Sequence, residues 1–302
     1  MSENKIIKII KSYFPNDWEK DYGNDCAYIK KHNMLITKDL LVEGTHFLKD
    51  YPIEAIAYKS LAVNISDVVS DGGIPKFVIL GIGFNKENEE KVELLFENYL
   101  KICKKNNIRI IGGDLVFSPI FFISVTCIGY SNSPWLRKNV GKNDSIYISG
   151  PIGGSYKGFK EIKEKGVDLN NKFVLAHLFP PIRIKKINNI NKKYKINAGI
   201  DISDGLIKDL LKLSLESNKS ILIEFDKIPF FPGLSDEDKF ESMFWGEDYE
   251  IVFTSSDNIT DRGIRKIGRV INEKTGLFLK KKDKIIIYNR LEEIEKKGFY
   301  HL

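Results

Sequence analysis

The stretch Asn197-Ala198-Gly199-Ile200-Asp201-Ile202-Ser203-Asp204-Gly205-Leu206 constrains this chain more than any other. A short apolar run carries Asp201 to its end, and Leu206, Leu210 and Leu213 then recur at helical spacing. Ser203 and Asp204 stand where a helix N-cap is expected. Two carboxylates and a hydroxyl therefore meet at a strand-to-helix junction. There, free backbone N–H groups receive an anion and aspartates hold a hard cation through oxygen. A helix cap with one solvated Asp fits the same residues, so the weight of the reading rests on whether such acidic knots recur.

Similar knots do recur along the chain. Residues 5–14 predict a short amphipathic helix with Ile6, Ile7, Ile9 and Ile10 on one side, and carry no visible chemistry. Asp21-Tyr22-Gly23-Asn24-Asp25-Cys26 then feeds a strand, and residues 34–37 predict a second that runs into Thr37-Lys38-Asp39. Asp25 and Asp39 can face one another across that hairpin. Residues 53–69 are apolar nearly all round, which predicts a buried helix on which Asn64, Ser66 and Asp67 need partners. An Asp67 turned to solvent is the alternative. Gly72, Gly73 and Pro75 end that helix. Residues 76–84 read as a buried strand, 89–105 as an amphipathic helix, 108–111 as a strand stopping at Gly112-Gly113-Asp114, and 120–130 as a further strand. This first part predicts an α/β sandwich of about four strands and two main helices.

Residues 137–144 turn polar, which divides the chain into residues 1–138 and 139–302. Beyond the divide, a strand over 145–149 enters Gly150-Pro151-Ile152-Gly153-Gly154-Ser155, a turn that matches neither common phosphate-loop pattern. A tight turn explains it as well as a ligand contact does. Helical stretches, the Asp201 junction, a strand over 221–225, Gly246-Glu247-Asp248 before another strand, and short strands near 266–271, 276–279 and 285–288 follow.

Composition excludes several classes. A chain of 302 residues with 42% hydrophobic and 29% charged content can build a sizeable soluble core. The net charge of +6 comes from lysine-rich helices and the Lys280–Lys282 run, read as solvated faces, and no nucleic-acid-binding signature accompanies it. Every apolar run is broken well short of the roughly 20 residues that span a membrane. Cys26, Cys103 and Cys127 are dispersed and odd in number, which speaks for a reducing cytoplasm. With four histidines, zinc is disfavoured, and His46 reads as a structural or ligand-bonding histidine.

Taken together, Asp25, Asp39, Asp67, Asp114, Asp201, Asp204, Glu247 and Asp248 sit mostly at strand or helix ends beside Gly, Ser or Thr. If they converge, their like charges call for bound cations, and an all-oxygen set suits Mg²⁺.

The ordered motifs Gly23-x-Asp25-Cys26-Ala27, Thr37-x-Asp39 with Gly44-x-His46-Phe47, Tyr58-Lys59 with Asn64-x-Ser66-Asp67, Gly112-Gly113-Asp114, Asp201-x-Ser203-Asp204-Gly205 and Gly246-Glu247-Asp248-Tyr249-Glu250 resemble those of the thiamine-monophosphate kinase family. That family lies within the superfamily of aminoimidazole ribonucleotide synthetase. The resemblance implies a two-domain α/β fold, with the N-terminal sheets of a homodimer pairing into a barrel and ATP bound near that interface. It implies phosphorylation of thiamine monophosphate by ATP, with Mg²⁺, to thiamine diphosphate. By the same resemblance, Asp25, Thr37, Asp39, Asp67, Asp114, Asp201 and Asp204 are expected to hold magnesium, with Lys38 in that set although Thr or Ser is usual there. Gly113, Asp114, Arg137 and Ser203 are expected at the nucleotide, and His46, Glu247 and Phe299 at thiamine monophosphate. Asn24, Asp71, Leu115 and Trp245 depart from the family pattern as well. No side-chain nucleophile is expected, because the acceptor phosphate is already anionic. Apolar runs at 77–80 and 121–123 are richer than a one-sided sheet requires, which also points to a homodimer. Another enzyme of the superfamily and a non-catalytic nucleotide-binding homologue are the alternatives.

Overall fold

A computed structural model describes residues 24–295 together with Ser12. The helix expected at 5–14 and the position of Phe299 lie outside the described residues. Two sheets and eight α-helices make up a mixed α/β fold among the described residues.

The first sheet is built from β1 (Ala27–Ile29), β2 (Met34–Val42), β3 (Ile74–Phe84), β4 (Arg109–Phe117) and β5 (Phe122–Tyr130), in the order β1-β2-β5-β3-β4. Only β3 and β4 run parallel. Helices α1 (Ile53–Ser70) and α2 (Glu89–Asn106) pack on it. The alternation along β2 sorts its side chains cleanly: Leu35, Thr37 and Leu41 are buried, whereas Lys38 and Leu40 are exposed. Gly112-Gly113-Asp114 does not end a strand as expected. Parallel pairing with β3 continues through it to Phe117, because backbone ladder bonds do not need side chains.

The second sheet takes β6 (Ser145–Ile148), β7 (Ala198–Asp201), β8 (Ser220–Glu224), β9 (Ile251–Ser255), β10 (Arg265–Ile271), β11 (Gly276–Lys281) and β12 (Lys284–Tyr288), in the order β12-β11-β8-β10-β6-β9-β7. Its helices are α3 (Gly154–Lys165), α4 (Lys172–Leu178), α5 (Ile184–Lys193), α6 (Leu206–Ser217), α7 (Asp236–Ser242) and α8 (Glu292–Glu295).

Helix α1 is the element that joins the two halves. It touches β2 and β5 of the first sheet and β7 and β9 of the second. A single apolar cluster accordingly runs from Leu35, Val68 and Ile123 through Trp135 to Tyr147 and Phe253. Buried on nearly every side, α1 still carries Lys59, Ser60, Asn64, Ser66, Asp67 and Ser70, and each of these must find a partner.

Candidate active site

Asp25, Asp67 and Asp201 come together from three parts of the sequence, each offering a carboxylate oxygen within 4.8 Å of the others. Asp67 projects from the last turn of α1, Asp25 precedes β1, and Asp201 ends β7. The approach of β7 depends on Gly199, where a Cβ would lie 2.0 Å from the carbonyl oxygen of Ser70. Hydroxyls hold the acids in place. Thr37 Oγ1 donates to Asp67 Oδ2 at 2.5 Å, Ser66 Oγ to Asp201 Oδ2 at 2.6 Å, and Ser70 Oγ to Asp25 Oδ2 at 2.7 Å.

The electrostatics are those of crowded acids. Burial, then the neighbouring Asp39, Asp201 and Asp25, pushes Asp67 well above the usual carboxylate range. Burial and Asp25 do the same to Asp201. Arg137, itself buried, donates to Asp25 Oδ1, and its backbone N–H donates to Asn24 Oδ1 at 2.9 Å. Asp71, fully buried at the end of α1, accepts from the Cys26 N–H at 3.0 Å through Oδ2. Oδ1 of Asp71 and Oδ1 of Asp201 are buried with no hydrogen-bond partner in the structure. Unpaired carboxylate oxygens removed from water are costly, and a divalent cation satisfies both their charge and their lone pairs. The residues present therefore fit magnesium: all donors are oxygen, and the hydroxyls around the cluster carry no charge while one guanidinium, that of Arg137, cannot neutralise three carboxylates.

Other expected site residues fall outside this cluster. Asp39 is half-buried on the Thr37 face of β2, beyond the β1–β2 ladder, whose register starts at Ala27 opposite Ile36. Its N–H donates to Asn64 Oδ1 at 3.2 Å, and it is near enough to raise Asp67. Lys38 does not join the acids, because strand alternation turns it to the opposite face, where Nζ donates to Ser124 Oγ at 2.6 Å. Asp114 is exposed on β4, and its Oδ1 accepts from Leu115 N–H at 3.0 Å. With Gly112, Gly113 and Leu115 it lines an open cleft of about 420 Å³ to which Leu80, Phe96 and Ile110 add apolar surface.

The junction after Asp201 also differs from the expected cap. Helix α6 begins at Leu206 after Gly205, and neither Ser203 nor Asp204 caps it. Asp204 instead pairs with Lys208 at 3.1 Å and with Lys212, while Asp209 accepts the Asp204 N–H at 3.0 Å. Burial alone would raise Asp204, but Lys212 and Lys208 outweigh it and hold the carboxyl below its usual range.

Glu247 is buried and is tied to the same helix α1 that carries Asp67. Its N–H donates to the Ser203 carbonyl at 3.0 Å, and Gly246 lies so close that a Cβ there would sit 1.7 Å from that same oxygen. Lys59 Nζ donates to Glu247 Oε2 at 2.7 Å. Around this ion pair, Tyr51 OH lies 2.9 Å from His177 Nε2, and Ser155 Oγ lies 2.9 Å from His177 Nδ1. Asp248 accepts from the Gly153 and Ser155 N–H groups at 2.8 and 3.3 Å. The glycine turn before α3 thus serves an internal carboxylate. His46 Nδ1 accepts from the Val42 N–H at 3.1 Å, closing the turn after β2. Sequence reasoning missed Lys59, His177 and Asp71 as site residues. A lysine inside a largely apolar helix, within the Tyr58-Lys59 motif, was the available signal for the first.

Residues 23–131 match the family described as AIR synthase related protein, N-terminal domain. The thiamine-monophosphate kinase of Buchnera aphidicola subsp. Acyrthosiphon pisum is 35% identical over 327 residues, covering 98% of this chain and 98% of its own length. That of Aquifex aeolicus is 30% identical over 320 residues, covering 100% and 98%. The chain belongs to the thiamine-monophosphate kinase family. Among solved structures, AaThiL complexed with AMPPCP and TMP superposes with a TM-score of 0.83 at 29% identity, covering 95% of this chain and 96% of that one. A HypE–HypF complex chain, at 17% identity and a TM-score of 0.75 over 94% of this chain and 99% of that one, shares the fold. The thiamine-monophosphate kinase family therefore accounts for the whole described chain, while the shared fold extends beyond it.

Proposed function

We propose that this chain transfers the γ-phosphoryl group of ATP directly to thiamine monophosphate, giving ADP and thiamine diphosphate. The observation that carries the reading is the Asp25–Asp67–Asp201 cluster, placed where α1 meets both sheets, in a chain of this family. Asp25, Asp67 and Asp201 would hold magnesium, with Asp39 beside them. Magnesium, when bound, supplies neutralisation of the phosphate charges that otherwise keep two polyanions apart. The chain's own residues orient and exclude: Thr37, Ser66 and Ser70 fix the carboxylates, and Arg137 offsets part of their charge. We assign Gly113, Asp114, Arg137 and Ser203 to the nucleotide. Support for the first two comes from the cleft beside Gly113, whose apolar lining suits a nucleobase. His46, Glu247 and Phe299 are assigned to thiamine monophosphate, and Thr37, Asp114 and Asp204 complete the proposed metal set, in which Lys38 takes part through its backbone carbonyl alone because its side chain faces away. Because the acceptor oxygen is anionic, no general base is assigned.

Three further readings belong to the same proposal. The chain divides into domains at 138/139. It assembles as a homodimer through the first sheet, pairing into a barrel; Leu40, Ile79, Ile111, Leu115, Val116 and Phe117 are exposed there, more apolar surface than a solvated sheet carries. Its place is the cytoplasm, since Cys26, Cys103 and Cys127 are buried free thiols. Among the described residues, no helix is long and apolar enough to cross a membrane.

A coupled ADP-release assay tests the function. ADP release that depends on thiamine monophosphate and is weak with free thiamine is the expected result; equal rates with both acceptors would overturn it. Sedimentation at micromolar concentration should give a dimer, and a monomer alone would remove the assembly.

A further inference from the structure

Lys59 lies on the same helix as Asp67, eight residues earlier, which places it about 12 Å away along the axis of α1. Its ammonium is buried and reaches Glu247 on the second sheet's side. A buried ion pair is weak evidence for stability, because apolar side chains of similar volume would serve the fold as well, so its retention asks for another explanation.

The backbone supplies that explanation. Glu247 and Tyr249 both adopt left-handed conformations, at φ 67° and 49°, which non-glycine residues keep only when their surroundings impose it. Four ties impose it here. Lys59 holds the Glu247 side chain, Asp248 is bound to the amides that open α3, and the Glu247 and Tyr249 N–H groups donate to Ser203 and Ile202 carbonyls. His177 completes the arrangement. Burial and Lys59 hold it well below its usual pKa, so it is neutral. The Lys59 ammonium lies 3.5 Å from Nε2, on which Tyr51 OH also sits at 2.9 Å, and Ser155 Oγ lies 2.9 Å from Nδ1. Lys59 thus sits between the Glu247 carboxylate and the neutral imidazole of His177.

We propose that Lys59, locked by His177, is the positioning residue for Glu247, setting the distance between the carboxylate that meets the organic part of thiamine monophosphate and the acid cluster that meets its phosphate. The inference rests on the assignment of Glu247 to that substrate. Both ends of the ruler are carried by one rigid helix, so substrates of another length should be rejected.

The test uses the full-length protein with Lys59→Met, Lys59→Arg, Glu247→Gln and the double variant Lys59→Met/Glu247→Gln. Lys59→Met should raise KM for thiamine monophosphate about tenfold or more, with KM for ATP changed less than about twofold. Lys59→Arg should recover part of that loss. Once Glu247→Gln is in place, adding Lys59→Met should change KM by less than about twofold, since coupled residues lose their effect together. The double variant leaves no unpaired buried charge, so it remains informative if Lys59→Met fails to fold. Amide exchange gives a readout independent of turnover: Glu247 and Tyr249 should lose protection in Lys59→Met while β9 keeps it. Equal effects on both substrates, additivity in the double variant, or unchanged protection at 247 and 249 would overturn the proposal alone. A wild type that releases no ADP in response to thiamine monophosphate would overturn the functional reading, and this proposal with it.

Discussion

Asp201 and Asp204 stand three residues apart in one motif, yet the fold treats them in opposite ways. Asp201 is buried among Asp25 and Asp67, keeps one oxygen unpartnered and is pushed well above its usual pKa. Asp204 turns to the α6 side, takes two lysines and is held low. The difference lies in what each face of the junction meets. One face meets the acid-bearing end of α1 across Gly199, and the other meets Lys208 and Lys212, one and two turns into the following helix. The first arrangement leaves carboxylate charge that its own neighbours do not fully answer, whereas the second already has its counter-charges.

Removing the first carboxylate should have the largest effect. Asp201→Asn keeps size and loses charge, and with it turnover should fall about a hundredfold or more, the scale of several kcal/mol of lost charge stabilisation. Asp67→Asn should behave alike, while the fold is retained in both. Asp204→Asn should lose far less, and it should weaken stability by only about 1 kcal/mol, because its lysine pairs are partly exposed. Steady-state rates at limiting and saturating magnesium check this. An Asp204 variant as damaged as the Asp201 variant would erase the distinction between the two acids.

Much of the arrangement is legible in the sequence, and what is hidden has a physical reason. Helix α1, the strand β3 and helix α2 follow from periodicity, and their bounds fall within two residues of the expected ones because apolar runs end at Gly, Pro or Asn. The strand β4 was cut short at Gly112-Gly113, since glycine reads as punctuation in a sequence but pairs its backbone as well as any residue. Aspartates with Gly, Ser or Thr beside them announced a site, and Asp25, Asp67 and Asp201 do meet. Which acids converge is a tertiary matter. Asp201 at the end of an apolar run and Asp204 before a helix are told apart locally, but which lysines answer Asp204 depends on the phase of that helix. The Lys59–Glu247 pair spans 188 positions, so no local pattern could join its members.

The same comparison predicts a dependence on pH. Asp201 has a folded pKa above its unfolded value, so its contribution to stability is fully present below the unfolded carboxylate pKa of about 4 and is lost as pH rises toward the folded value. Asp67 shares that sign. His177, whose folded pKa is depressed, acts oppositely and loses stability as pH falls below its unfolded value of about 6.5. Comparing wild type with Asp201→Asn cancels the histidine. Without magnesium, the melting temperature of the Asp201→Asn variant should exceed that of the wild type by a margin that widens as pH rises from 5 to about 8, reaching a few degrees. Added magnesium should close the gap by stabilising the wild type. A margin that shrinks with rising pH would mean that the cluster is not strained by its own charge.

The smallest expected effect separates Lys38 from its neighbours on β2. Thr37 and Asp39 point toward α1, while Lys38 points away and binds Ser124 and Thr126 of β5 on the sheet's other face. Lys38→Thr removes one exposed and one part-buried hydrogen bond and should shift stability by no more than about 1 kcal/mol. If its side chain takes no part in holding magnesium, the magnesium concentration for half-maximal rate should move less than about twofold, against a large rise for Thr37→Val, which leaves Asp67 without its hydroxyl donor. Dimerisation supplies an internal control. Lys38 lies on the face assigned to subunit pairing, so a change in sedimentation without a change in magnesium dependence would locate its role at the interface. A tenfold change in magnesium dependence with the dimer intact would instead bring the Lys38 side chain into the metal set and show that strand alternation alone does not divide the two faces.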